Sequence, residues 1–217
     1  MKTDFPSNLA DAREFQKKIA EKIILKDAEL DIKLVGALDV AYKERKGFAA
    51  GIVYDVAEKQ IIEKQIFSDV VLFPYIPTFL FLREVPLFLK LIELFNSEPD
   101  IFLIDGHGVA HPKFAGSATV FSVLCDKPAI GIAKKPLRPF RYQDTTDNTI
   151  KKIIVNEKQV GIRYKPNKNW KPIFISPGNK ISIETSFELV KATLTQKQKL
   201  PYPLHVAHLA AAEAKQA

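Results

Sequence analysis

Four consecutive apolar residues, Ile101–Ile104, end abruptly at Asp105 and Gly106. A run this short, without polar interruption and closed by a turn pair, is typical of a strand that is buried on both faces of a parallel sheet. Parallel strands need long crossover connections, and helical patterns lie before and after this run. The segment therefore predicts an α/β fold with a buried parallel strand.

Three further strand-like runs precede this one, at residues 34–42, 48–56 and 61–72. Short links join them, so consecutive runs are expected to pair as an antiparallel meander. In such an arrangement the first strand often lies beside the first parallel strand, which would make Asp39 and Asp105 neighbours across the sheet. We predict one domain over residues 1–217, with a mixed sheet flanked by helices on both faces.

Helical spacing is found at both ends of the chain and between the strands. A leading amphipathic helix follows the N-cap types Ser7 and Asn8. Residues 79–95 are also helical in pattern, but Pro86 predicts a break into two helices, with the proline opening the second. The other predictions are a helix at 116–124, a strand at 129–133, a hairpin at 155–164, a strand at 173–175 and helices at 185–195 and 205–214.

The net charge of +7, from 32 Lys and Arg against 25 Asp and Glu, favours a polyanionic partner such as nucleic acid. A solvated lysine-rich surface would explain the same surplus. The single cysteine, Cys125, excludes an internal disulfide and indicates a reducing, cytoplasmic location. The most apolar stretch, residues 70–82, is shorter than the roughly 20 residues of a membrane span, so no membrane partner is expected.

Three acidic residues point to chemistry. Asp39 lies within an apolar strand, where a carboxylate is costly to bury without hydrogen bonds, a basic partner or a metal ion. Asp105 ends the parallel strand, although Asp-Gly is also a common turn pair. Glu84 alone would be interpreted as a surface ion pair with Arg83 or Lys90. Together the three form a hard-oxygen set that suits Mg²⁺ or Mn²⁺, ions that can catalyse phosphodiester hydrolysis.

Two histidines, His107 and His111, lie in a glycine-rich loop after the parallel strand. Their spacing occurs in zinc-binding helices, but Gly106 and Gly108 disfavour a helix at this place. The histidines are interpreted either as groups near a scissile phosphate or as structural residues of the loop.

Two lysines, Lys134 and Lys135, follow the predicted strand at 129–133. A lysine at this strand end would lie beside the acidic residues, where it would hold a phosphate or balance the carboxylates. A solvated pair of lysines is the alternative interpretation.

The segment Pro74-Tyr75-Ile76-Pro77 forms a short loop that two prolines stiffen. A rigid exposed aromatic side chain, here Tyr75, can wedge between bases or stack where a base has left. The alternative is a loop that folds over the core.

Three segments in this order resemble the endonuclease V family: Gly36–Tyr42, Pro74–Glu84 and Pro99–Lys113. Residues 131–135 fit as well, and 176–181 fit more weakly. The resemblance implies an RNase H-like fold and Mg²⁺-dependent cleavage, with Mn²⁺ as a substitute. It also implies nicking at the second phosphodiester bond 3′ to deoxyinosine, the product of adenine deamination, in DNA repair.

The resemblance places the family's metal ligands on Asp39, Glu84 and Asp105, and its catalytic lysine on Lys134. His208 aligns with a carboxy-terminal position that supports the metal site. The remaining expectations concern substrate binding, by the wedge motif and by the loops beside the acidic residues: Tyr75, Ile76, Pro77, Gly106, His107, Gly108, His111, Lys113 and Lys135. Gly106 and Gly108 would permit close approach of the backbone to a base.

The chain departs from the family pattern at four places: Thr78 replaces a glycine, Lys113 an arginine, residues 120–122 a His-Leu-Gly element and Asn179 a histidine. None of these removes an expected metal ligand, but they put fine substrate preference in doubt. Inosine-containing RNA is an alternative substrate. A catalytically silent binding protein of the same fold, or another RNase H-like nuclease such as a junction resolvase, is the alternative function. A monomer without an obligate protein partner is the default expectation.

Overall fold

A computed structural model of the chain describes residues 4–29, 31–137 and 140–216. Its elements in chain order are α1 (Leu9–Ala20), β1 (Leu34–Lys43), β2 (Lys46–Asp55), β3 (Gln60–Val70), α2 (Phe81–Ile92), β4 (Ile101–Ile104), α3 (Ser117–Cys125), β5 (Ala129–Ala133), β6 (Arg141–Asp144), β7 (Ile150–Val155), β8 (Lys158–Tyr164), β9 (Ile173–Asn179), α4 (Ile183–Thr193) and α5 (Tyr202–Ala214).

The strands form one mixed sheet in the order β3-β2-β1-β4-β5-β9-β8-β7-β6. The first three strands are the predicted antiparallel meander, and β1, β4 and β5 run parallel to one another. Leu38 on β1 pairs with Ile104 on β4, and the Asp105 amide donates a hydrogen bond to the Leu38 carbonyl over 3.2 Å. This confirms the prediction that Asp39 and Asp105 are neighbours across the sheet.

Helices cover the two faces of the sheet. Phe102 and Ile104 of β4 pack into the apolar cluster formed with α1, α2 and α3, while Ile101 and Leu103 pack into the cluster formed with α4 and α5. All four side chains are essentially inaccessible to solvent. Burial on both faces explains why the run has no polar member.

Pro86 does not break α2, so the prediction of two helices was wrong. The helix runs without interruption from Phe81 to Ile92, with Pro86 in its second turn. The side chains of Phe81, Val85, Phe88 and Leu91 along one face are buried. Each such burial contributes about 1.5–3 kcal/mol, and their sum outweighs the roughly 3 kcal/mol that an internal proline costs.

The carboxy-terminal half differs most from prediction. Strand β6 was missed because all four of its side chains are exposed, which leaves no apolar alternation. Strand β9 continues past Ile175 through Pro177 to Asn179. The proline is tolerated there because β8 pairs with β9 only as far as Ile175. Within the described ranges, no helix has the length and apolar character needed to span a membrane.

Candidate active site

The site lies where the parallel strands end. Asp39 on β1, Asp105 just after β4 and His208 on α5 each offer one ligand atom, and these atoms all lie within 4.8 Å of one another. The two aspartates are placed by the pairing of β1 with β4, and the histidine is placed by α5, which packs against β1 and β2. Residues from three distant parts of the chain therefore converge.

Each acidic group of this cluster has a basic neighbour. Asp39 Oδ2 lies 2.6 Å from His208 Nδ1, and Asp39 Oδ1 accepts a hydrogen bond of 2.8 Å from the Val40 amide. Asp105 forms an ion pair with Lys134, whose Nζ lies 3.2 Å from His208 Nδ1. Burial and the charge of Asp39 raise the pKa of Asp105, while the Lys134 charge lowers it. The hydrogen bond to Asp39 raises the pKa of His208.

Glu84 lies close to the cluster without being part of it. Its side chain is buried, and Oε2 has no hydrogen-bond partner among the described residues. Burial raises the pKa of Glu84 to about 8; a hydrogen bond from Ser117 lowers it, and the charges of Asp39 and Asp105 raise it further. A buried carboxylate oxygen without a partner is costly, and Oε2 points to a cation that would satisfy it.

This geometry excludes the interpretation of Glu84 as a surface ion pair. Lys90 instead pairs with Asp69 over 2.6 Å. Arg83 donates to the carbonyl of Phe73 over 2.7 Å.

The donor set fits a hard divalent cation. The cluster supplies two carboxylates and one imidazole, and Glu84 beside it supplies a third carboxylate with one buried oxygen left unsatisfied. Mg²⁺ and Mn²⁺ prefer carboxylate, water and phosphate oxygens, which are the groups that such a site and a nucleic-acid strand would supply.

The glycine-rich loop packs tightly against β9. A Cβ atom on Gly108 would lie 2.1 Å from the Pro177 carbonyl oxygen, and the Gly108 amide donates to Ser176 Oγ over 2.9 Å. The close backbone approach at Gly108 is therefore to the sheet. At Gly106 the nearest neighbour, Ser117 Cβ, would be 3.5 Å away, which leaves room for a side chain.

His111 has a structural position within this loop. Its Nδ1 accepts a hydrogen bond from the Lys113 amide, so Nε2 carries the proton and donates to the carbonyl of Thr78 over 3.1 Å. The ring is buried. His111 therefore connects the glycine-rich loop to the segment after the Pro-Tyr-Ile-Pro loop, and it is not part of the acidic cluster.

His107 is half-buried near the end of β5. Its Nε2 lies 3.1 Å from the Lys135 carbonyl, so this nitrogen is the donor, and Nδ1 has no partner among the described residues. Burial lowers the pKa of His107 to about 4, which keeps the ring neutral at physiological pH.

A cavity of about 50 Å³ lies between the two loops. It is bounded by the segment after Pro77, the glycine-rich loop and the chain after β5; its lining residues are Thr78, Leu80, Phe81, Gly106, His107, His111, Gly116, Ser117 and Leu137. Three of the predicted substrate-binding residues, Gly106, His107 and His111, therefore line one cavity. Thr78, where the chain differs from the family pattern, lines it as well.

The Pro-Tyr-Ile-Pro loop presents its tyrosine to solvent. Tyr75 is 68% exposed, whereas Ile76 is half-buried and packs against the core. Arg83 fixes the start of the loop through the Phe73 carbonyl, and its guanidinium lies 4.5 Å from the centroid of the Tyr42 ring on β1. The loop is thus tied to the strand that carries Asp39, and Tyr75 is not folded over the core.

Comparison with known proteins identifies the family. The sequence profile of Endonuclease V matches residues 17–209. The chain belongs to the Endonuclease V family. The Endonuclease V of Dictyoglomus thermophilum is 37% identical over 195 residues, which cover 89% of this chain and 85% of that protein. Membership makes the chain a nuclease that hydrolyses phosphodiester bonds and binds DNA.

Solved structures of Endonuclease V show the same fold. The Bacillus subtilis protein has a TM-score of 0.91 and 29% identity, covering 100% of this chain and 95% of that one. The Ciona intestinalis Endonuclease V, solved in complex with a 24mer DNA containing an inosine followed by a ribo-adenosine, has a TM-score of 0.86 and 26% identity. It covers 95% of this chain and 97% of that one. The predicted mixed α/β class is confirmed.

Three departures from the Endonuclease V pattern lie at structural positions. Asn179 is buried at the far end of β9, where Oδ1 accepts a hydrogen bond of 2.7 Å from the Ile24 amide. Val120 and Phe121 are core residues of α3. Lys113 is exposed at the edge of the glycine-rich loop. None of these side chains touches the acidic cluster.

The fourth departure, Thr78, is strained. Its φ of 74° lies in the left-handed region, where a β-branched residue is an outlier and glycine is favoured. The Thr78 carbonyl is held by hydrogen bonds from Gln16 Nε2 over 2.8 Å and from His111. These two contacts keep the backbone in the unfavourable conformation.

We expect Thr78→Gly to raise the free energy of unfolding by about 1 kcal/mol, because relief of the backbone strain exceeds the extra entropy that glycine loses on folding. Chemical denaturation of the two proteins measures this difference. Thr78→Ala, which keeps a Cβ atom, should give no such gain. A Thr78→Gly variant less stable than the parent would show that the side-chain contacts outweigh the strain.

Sequence reasoning missed two residues that shape the site. Ser117, the first residue of α3, is buried and lowers the pKa of Glu84 through a hydrogen bond. Arg83 connects the exposed loop to β1. Ser117 follows Gly116 at the start of α3, a faint signal for a buried polar contact. Arg83 gave no signal beyond its charge.

Proposed function

We propose that this Endonuclease V nicks DNA containing deoxyinosine, at the second phosphodiester bond 3′ to the lesion, and so begins repair of deaminated adenine. The observation that carries the proposal is the convergence of Asp39, Asp105 and His208 beside the buried Glu84, whose Oε2 has no partner among the described residues. The inosine-containing DNA bound by the Ciona relative supports the choice of substrate.

We assign binding of Mg²⁺, or Mn²⁺, to Asp39, Asp105 and Glu84, with support from His208. When bound, the ion supplies charge stabilisation for the phosphoryl oxygens. His208 holds the Asp39 carboxylate in place through the 2.6 Å contact. Lys134, which the ion pair with Asp105 keeps at the site, supplies a positive charge for a phosphate oxygen.

Base recognition is assigned to the narrow cavity beside the metal site. Hypoxanthine has a carbonyl where adenine has an amine, and it lacks the 2-amino group of guanine. The cavity is lined in part by Gly106 and His107 of the glycine-rich loop, and its exposed wall is almost entirely apolar, so backbone groups at its rim would read those differences. A planar base edge fits so narrow a space better than a bulkier group. The exposed Tyr75 would fill the gap that the displaced base leaves in the stack.

Nicking assays test the function directly. Wild-type protein with Mg²⁺ should nick a duplex that contains inosine and leave the matched adenine duplex and a four-way junction intact. Binding without nicking would establish a silent binding protein, and preferential cutting of the junction would establish a resolvase.

An inosine-directed endoribonuclease is the second candidate. The ribo-adenosine that follows the inosine in the Ciona complex favours it, because that complex accommodates a ribonucleotide next to the lesion. Matched inosine strands made of DNA and of RNA, compared at equal concentration, decide between the two activities.

We also propose that the protein acts as a monomer in the cytoplasm, without an obligate protein partner. The candidate ligands, the cavity and the exposed tyrosine all come from one chain.

Burial raises the pKa of the Cys125 thiol to about 11, so this cysteine is suited neither to metal binding nor to redox chemistry.

Tyr75→Ala is expected to weaken binding to an inosine duplex and slow nicking by roughly tenfold to a hundredfold, because base–aromatic stacking contributes about 1–3 kcal/mol. Anisotropy titrations and single-turnover nicking measure the two effects. Tyr75→Phe keeps the ring and should retain activity. Leu72→Ala, which removes a side chain that is 80% exposed near the same loop, is the matched control. Undiminished activity of Tyr75→Ala would eliminate the wedge role.

A further inference from the structure

Four lysines gather at one edge of the proposed active site. Ala133 on β5 pairs with Phe174 on β9, and the two strands are antiparallel. Lys134 and Lys135, which leave the end of β5, and Lys171, which precedes the start of β9, therefore lie at the same edge of the sheet.

The fourth lysine, Lys199, reaches this edge from another part of the chain. It is half-buried just before α5, the helix that carries His208. Burial and the charges of Lys134, Lys171 and Lys135 lower the pKa of Lys199, and the charge of Asp105 raises it. The four ammonium groups therefore share one electrostatic environment beside the acidic cluster. We call Lys134, Lys135, Lys171 and Lys199 the lysine edge.

The lysine edge has little internal compensation. Some lysines elsewhere are paired with carboxylates: Lys33 with Asp31, Lys64 with Glu213, Lys90 with Asp69, Lys127 with Glu98, Lys151 with Asp144, Lys180 with Asp126 and Lys191 with Glu188. Other exposed lysines of the described ranges are not, but they are not gathered beside the acidic cluster as these four are. In the lysine edge only Lys134 has such a partner, Asp105. Over the described parts of the chain, no carboxylate lies within 4.0 Å of the other three. Uncompensated like charges repel one another, and an external polyanion would relieve that repulsion.

The loop before β9 adds an aromatic group to this surface. Trp170 is half-buried between Lys171 and the exposed Asn169. The Trp170 amide donates to the Asn167 carbonyl over 3.1 Å, and the Asn169 amide donates to Asn167 Oδ1 over 2.9 Å. A closed turn thus fixes the backbone of Trp170 next to Lys171, and a partly exposed indole at that position is a group against which a base or sugar can stack.

We propose that the bound nucleic-acid strand continues from the active site across the lysine edge, where Lys171 and Lys199 each contact a backbone phosphate outside the scissile bond. The proposal rests on the proposed function for the place of the scissile bond. These contacts add affinity and fix the direction in which the strand leaves the site, but they do not recognise inosine, because phosphate contacts carry no sequence information.

The salt dependence of binding tests this proposal. A fluorescein-labelled single-stranded oligonucleotide is titrated with full-length protein in EDTA, by anisotropy, between about 50 and 300 mM salt. Each lost phosphate contact should reduce the slope of log K against log salt by about 0.7. The double variant Lys171→Ala/Lys199→Ala should therefore lose about 1.4 from the slope, with or without inosine in the oligonucleotide. Lys171→Arg should keep the wild-type slope.

Lys26→Ala is the matched control. Lys26 is also an exposed lysine in an irregular segment, but that segment bonds to Lys180 and Asn179 at the opposite end of β9. Its replacement should leave the slope unchanged. An unchanged slope in the double variant, or an equal loss in Lys26→Ala, would overturn the proposal.

Tryptophan emission gives an independent readout, because Trp170 is the single tryptophan of the chain. Its emission should change on saturation with the oligonucleotide, and unaltered emission would place the strand elsewhere. Failure of the proposed function is distinct, since it is seen as an absence of nicking at inosine by the wild-type protein.

Discussion

Asp39→Asn is expected to reduce nicking of an inosine duplex by at least about a thousandfold, while oligonucleotide binding stays measurable. The amide keeps the shape of the side chain and can still accept the hydrogen bond from the Val40 amide. It removes the charge that the proposed metal would require and that His208 contacts. A loss of about 4 kcal/mol of metal-dependent charge stabilisation corresponds to this factor. Single-turnover nicking with Mg²⁺ and anisotropy titration measure the two quantities.

Asp144→Asn is the matched control for this substitution. Asp144 is exposed on the edge strand β6, where it pairs with Lys151. Its replacement removes one negative charge from the surface and should leave the nicking rate unchanged. Nicking by Asp39→Asn at the wild-type rate would show that the acidic cluster is not the catalytic site.

Glu84→Gln is expected to stabilise the metal-free protein at pH 8 by on the order of a few kcal/mol, because burial raises the pKa of Glu84 from 4.5 to about 8. A carboxyl whose pKa is raised by folding makes its full contribution to the free energy of unfolding when the pH is below the pKa of the unfolded state. That contribution is lost as the pH rises to the pKa of the folded state. The advantage of Glu84→Gln should therefore grow between about pH 4.5 and pH 8 and vanish below about pH 4.5.

Denaturant unfolding in EDTA, repeated across this pH range, measures the difference between the two proteins. The pKa values of Asp105 and His208 are also raised, but both residues remain in both proteins. Their contributions to the pH dependence of stability therefore largely cancel in the comparison. Added Mg²⁺ should stabilise the wild type at pH 8 and have less effect on Glu84→Gln, because ligand binding stabilises only the state that binds. A difference that does not change with pH would contradict the assignment of Glu84 as a buried carboxyl whose pKa is raised.

The pairing of Asp39 with Asp105 could be predicted from the sequence. An antiparallel meander followed by a short apolar strand leaves few places for that strand, and the space beside β1 is the simplest. The burial of Glu84 could not be predicted, because the local pattern around it equally suits a surface ion pair with Lys90.

Other features depend on tertiary packing that no local pattern reveals. Pro86 stays inside α2 because the helix face beside it is buried. Position 108 must be glycine because a Cβ atom there would collide with the carbonyl of Pro177, a residue far away in the sequence. Thr78 keeps a strained backbone because Gln16 and His111 hold its carbonyl. In each case, long-range contacts override the local preference.

Mapping the cut on an end-labelled oligonucleotide with one inosine, in DNA and RNA versions, tests the central claim most directly. With Mg²⁺, the protein is expected to give a single product that ends one nucleotide 3′ to the inosine, and EDTA should abolish that product. Cleavage at positions unrelated to the inosine, or undiminished cleavage in EDTA, would contradict a metal-dependent, inosine-directed nuclease.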